Sequence, residues 1–65
     1  MGRHKSNIDY RIIGTKIREL RKAKGLTQEH LGEISGIEPC NISHIERGAT
    51  KLSLPTFISI ANALG

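Results

Sequence analysis

Cys40 and His44 stand four residues apart in the stretch Pro39-Cys40-Asn41-Ile42-Ser43-His44, and their types suggest more than one chemistry. On a helix that separation puts both side chains on one face, the spacing of a two-ligand metal clip, with His30 or His4 as a third candidate. A structural zinc site takes four ligands in recognisable Cys and His spacings, and this chain has a single cysteine, so no metal is expected. A redox role for Cys40 is set aside as well, because solitary cysteines rarely act as switches. Ser35, Ser43 and Ser53 and the three histidines supply nucleophile and base types. No spacing forces a nucleophile, a base and an orienting acid together, and a core this small cannot wall off a substrate pocket. Neither a catalytic residue nor a cofactor is expected. What the stretch does offer is hydrogen bonding, from Asn41 and His44.

The charge that could serve such a surface lies elsewhere. The chain has 65 residues and a formal charge of +4, unevenly spread. Residues 1–24 hold eight lysines and arginines against Asp9 and Glu19, a balance of +6. Residues 25–65 hold Arg47 and Lys51 against Glu29, Glu33, Glu38 and Glu46, a balance of −2. A basic half attracts polyanions such as nucleic acid or an acidic membrane surface. A chain of this length is one domain with a small core, buries only about 60% of the surface its unfolded form exposes, and gains from a partner or a second subunit. One cysteine cannot form an internal disulfide, no apolar run is long enough to span a membrane, and no leader opens the chain. The expectation is a soluble domain of the reducing cytoplasm with no membrane partner.

Four short helices are needed to position these groups. Residues 1–8 lack an apolar period and read as a flexible basic arm. Asp9 caps a first helix with Ile13, Ile17 and Leu20 on its apolar side, and Gly25 stops it. Thr27 caps a second, with Leu31 and Ile34 facing inward, ended by Ser35-Gly36. Glu38-Pro39 restarts the chain, proline suiting a first helical turn, and Ile42 and Ile45 form the buried stripe up to Gly48. Ser53 then caps a fourth helix with Pro55 in its first turn and apolar positions Leu54, Phe57, Ile60, Ala61 and Leu64. Nothing reads as a strand or a repeat.

Two short helices joined by a tight glycine turn describe a helix-turn-helix, whose second helix lies in the major groove of DNA. From Gln28 to Arg47, Leu31, Ile37, Ile42 and Ile45 make a shared seam, Gly32 leaves room for a close crossing, and Gly36 allows the turn. The run IRELRKAKGLTQEHLGEISGIEPCNISHIERG, followed by SLPTFISIANALG, resembles the lambda repressor/Cro-type (XRE-like) helix-turn-helix regulators over nearly the whole chain after about residue 9.

That resemblance implies an all-α, compact lambda-repressor-like domain over residues 9–65, with the motif at 28–47 and a fifth helix expected beyond Gly65. Ile58 is expected to await that cover or a second copy. The resemblance also implies roles. Pro39, Cys40, Asn41 and His44 match base-facing positions. Gln28 matches a position that grips a phosphate and braces the recognition helix, and Ser43, Arg47, Thr50 and Lys51 are further positioners. Arg21 and Glu46 match a structural ion pair, which removes Arg21 from the cations facing DNA. Relatives often carry Gln, Arg, Lys or Ser where this chain has Pro39 and Cys40, so bidentate readout from those two sites is unavailable. Apolar contact with a thymine methyl and sensitivity to DNA shape are left to them. The expected function is a sequence-specific regulator of transcription, a repressor acting as a homodimer on a two-fold operator in the bacterial cytoplasm and nucleoid. The alternative is a protein-interaction module of a larger regulator or antitoxin, with an effector or partner protein held through a further C-terminal region.

Overall fold

The computed structural model describes residues 9–65. The arm expected over residues 1–8 lies outside the described residues. Four helices follow in order, α1 (Tyr10–Ala23), α2 (Gln28–Ser35), α3 (Pro39–Glu46) and α4 (Leu54–Leu64), with no strand among the described residues.

The expected caps form. Asp9 accepts a hydrogen bond from the Arg11 N–H at 3.0 Å, Thr27 accepts one from His30 at 3.0 Å, and Ser53 faces Thr56 at the start of α4. These contacts satisfy N–H groups that the first helical turn leaves without carbonyl partners. At the other end of α2, Gly36 adopts φ 73°, and the Ile37 N–H then reaches back to the Gly32 carbonyl at 3.0 Å. A side chain at Gly36 would be strained in that left-handed conformation, so glycine is what lets the chain reverse in so few residues. α1 and α3 close in the same way, Leu26 bonding back to Arg21 and Ala49 to His44.

α1 packs on α3, α3 on α2, and α2 on α4. Ile17, Leu31, Ile42, Ile45, Ile60 and Leu64 meet at the centre, and Ile13, Leu26, Ile37, Leu52 and Ala63 close around them. Burial of such side chains contributes about 1.5–3 kcal/mol each, which makes this cluster the main source of stability. Gly14 is also buried, because α1 crosses the end of α3 at that point: a Cβ there would fall 2.6 Å from the Glu46 carbonyl oxygen.

Several expected core positions face outward instead. Ile34 is 54% exposed, because α2 is rotated so that its buried contacts run through Leu31 and Gly32, and Ile34, about 160° around the helix from Gly32, falls on the far edge of Leu31's face. The Ile37 carbonyl and the Pro39 ring come up against Gly32, a close approach that only a residue without a side chain permits. Leu20, Phe57 and Ala61 line an open, largely apolar groove of about 720 Å³ between α1 and α4, where no described element covers them. Leu54 sits on the outer side of the first turn of α4, and Leu52 packs on the core in its place. Ile58, expected to await a cover, is exposed.

Candidate nucleic-acid interface

The inner side of α3 is fixed by two kinds of contact. Ile42 and Ile45 are buried in the core, and Glu46, one step further round, is buried with them. Glu46 meets Arg21 of α1 in a two-pronged pair, Nε to Oε2 at 2.6 Å and Nη2 to Oε1 at 3.0 Å. Arg21 also donates from Nη1 to the Leu26 carbonyl at 2.8 Å, and Gln28 donates from Nε2 to Glu46 Oε1 at 3.1 Å. A planar guanidinium matches a carboxylate in this forked geometry, and the added partners satisfy the charges that burial strips of water. The hydrogen bond to Glu46, and behind it the attraction of the two charges, raises the Arg21 pKa above its ordinary value, while burial pulls the other way. Arg21 therefore stays charged and engaged, and Gln28 ties the start of α2 to the end of α3.

Inner contacts at Ile42, Ile45 and Glu46 dictate what α3 turns outward. At about 100° per residue, Cys40, His44 and Arg47 fall on one stripe opposite them, and all three are exposed. Asn41 lies on one flank of that stripe. There it borders a mostly polar cleft of about 370 Å³ with Thr50, Lys51, Ser53 and Thr56. Pro39 and the half-buried Ser43 lie on the other flank, Pro39 beside Gly32 of α2. No side chain caps the first turn of α3, so the N–H groups of Cys40 and Asn41 have no partner within the helix.

The structure thus divides the residues singled out in the sequence into four sets, one of them Pro39 and Ser43 on the flank of α3 away from Asn41. Cys40, His44 and Arg47 share the outer stripe; Asn41, Thr50 and Lys51 share the adjoining cleft; Gln28 belongs with Arg21 and Glu46. Ser53 and Thr56 join the cleft although the sequence reading gave them no role there. It also missed that Arg47 Nη2 lies 2.9 Å from His44 Nδ1. A separation of three on one helix face was the available signal. Cys40 and His44 do share a face, but among the described residues no three His, Cys, Asp or Glu side chains gather as a metal site. No described helix is long and apolar enough to cross a membrane.

A short helix held from behind, with polar side chains outward and a cationic loop beside it, defines a helix-turn-helix domain built to meet a duplex. Comparison with known proteins agrees. A helix-turn-helix family model matches residues 17–65, and the chain belongs to this Cro/C1-type helix-turn-helix family of transcription regulators. It is 36% identical over 55 residues to an uncharacterised HTH-type transcriptional regulator, y4dJ, of Sinorhizobium fredii, an alignment covering 85% of this chain and 71% of that protein. It is 38% identical over 53 residues to the control protein C.SmaI of Serratia marcescens, covering 82% of this chain and 63% of that one. Among solved structures, the restriction-modification controller protein C.AhdI of Aeromonas hydrophila superposes with a TM-score of 0.84 at 41% identity, over 86% of this chain and 85% of that one. The clp gene regulator ClgR of Corynebacterium glutamicum does so with a TM-score of 0.84 at 32% identity, over 92% of this chain and 78% of that one.

Proposed function

We propose that this DNA-binding transcription regulator acts as a homodimer, setting one α3 into the major groove at each half of a two-fold operator and repressing by occupancy. The observation that supports it most directly is the division of α3 into two sides. Glu46, Ile42 and Ile45 lock the inner side to α1 and the core, while Cys40, Asn41, His44 and Arg47 are left exposed outside.

Base reading falls to His44 and Asn41 in this proposal, with Pro39 and Cys40 limited to apolar contact. Lys51, Thr50, Arg47, Ser43 and the start of α2 at Gln28 hold the phosphates that fix register. A second copy supplies the second half-site, about one helical turn away, and doubles the number of contacts. The exposed Cys40 thiol suits a reducing cytoplasm, with the nucleoid as the place of work.

Selection from random duplexes tests the function directly. The expected result is an enriched inverted repeat with half-sites about 10 base pairs apart, bound in excess random DNA. Enrichment of nothing, together with tight capture of a protein that shows no such DNA preference, would favour an interaction module instead.

A further inference from the structure

We propose that Arg47 sets the tautomer of His44, so that α3 reads DNA with a neutral imidazole whose Nε2–H is a fixed donor. The proposal rests on the DNA-binding reading above and adds the hydrogen-bonding character of its principal reader.

The contact itself carries the argument. Arg47 Nη2 and His44 Nδ1 are 2.9 Å apart. A guanidinium has only donors, so Nδ1 has to accept, and a neutral imidazole that accepts at Nδ1 carries its proton on Nε2. Since the two nitrogens lie on different sides of the ring, turning Nδ1 toward Arg47 turns Nε2–H away from it. Both side chains are exposed and both lie on the outer stripe of α3, so the pair belongs to the reading surface and not to the core.

The consequence is a restricted vocabulary. An unheld histidine takes either tautomer and can meet a base donor or a base acceptor. Held by Arg47, His44 can only donate from Nε2, which selects guanine N7 or O6, adenine N7 or thymine O4 and rejects the amino groups of adenine and cytosine. Arg47 keeps other N–H groups for a phosphate, so one side chain can tie the reader to the backbone. A competing account makes Arg47 a phosphate contact only, with His44 independent of it.

The test uses the 65-residue chain and has two readouts. In nitrogen NMR of the imidazole at neutral pH, the free protein should show His44 protonated at Nε2 and bare at Nδ1, and Arg47→Met should give a mixture of both tautomers. A wild-type mixture, or one unchanged by Arg47→Met, overturns the proposal. In duplex selection, the base pair that His44→Ala ceases to discriminate identifies where His44 reads. The wild-type preference there should be about tenfold, in the range of a single mismatch, and Arg47→Met should reduce it to about twofold. Uniform weakening by Arg47→Met with that preference intact overturns this proposal alone. A wild-type chain that favours no duplex overturns the DNA-binding reading and this proposal with it, a failure the imidazole spectrum keeps distinct from loss of the pair.

Discussion

Arg21 and Glu46, 25 positions apart, join the last turn of α1 to the last residue of α3 through two side-chain hydrogen bonds in a buried setting. Their side chains keep only 10% and 2% of their exposure, so each charge depends on the other. Removing one partner from such a pair costs about 3–5 kcal/mol, whereas replacing both with apolar groups can be nearly neutral. Glu46→Leu should therefore lower stability severely in a domain whose whole margin is about 3–10 kcal/mol. The double variant Arg21→Met with Glu46→Leu should recover much of the loss, read from urea midpoints. Strictly additive losses would falsify the view that the orphaned guanidinium, and not lost packing, is the main penalty.

A glycine in mid-helix ordinarily invites replacement by alanine, which gains about 1 kcal/mol in helix propensity. Gly14→Ala should do the reverse here, because the new methyl would run into the backbone of Ile45 and Glu46. Overpacking costs about 1–3 kcal/mol, and the obstacle is main chain that cannot rotate aside. A fall in melting temperature of about 5 °C or more is expected in a domain of this size. Unchanged or raised melting would mean that α1 and α3 sit further apart than described.

The helix ends and the centre of the core were readable along the chain because their causes are local. Asp9, Thr27 and Ser53 sit where first turns need acceptors, Pro39 where a missing N–H does no harm, and Gly36 where the chain reverses. Ile17, Leu31, Ile42, Ile45, Ile60 and Leu64 recur on helical spacings and do meet. Periodicity names the apolar side of a helix but not the neighbour that covers it. For that reason Leu20, Phe57 and Ala61 were expected inside and instead line the α1–α4 groove, and Ile34 was expected where Gly32 makes the contact. Gly14 went unread because a glycine in a helix looks like a propensity defect. Its spacing of three from Ile17 and seven from Arg21 placed it on the buried stripe. The outer residues of α3 were named from family resemblance, but their division into stripe and flank depends on how α3 is rotated, which the Glu46 contacts decide.

Lys51 separates holding DNA from reading it. It lies in the loop before α4, exposed, on the same cleft as Asn41 and Thr50 but off the outer stripe of α3. A cation so placed reaches a phosphate more readily than a base edge, and phosphate contacts add affinity without sequence information. Lys51→Ala should weaken selected and random duplexes by similar factors. In a plot of log affinity against log salt, it should make the slope shallower by about 0.9 for each subunit bound. His44→Ala should behave in the opposite way, leaving the slope nearly unchanged while relaxing preference at one base pair in each half-site. If Lys51→Ala changed which sequences are selected, or His44→Ala flattened the salt dependence, the roles of reader and positioner would have to be exchanged.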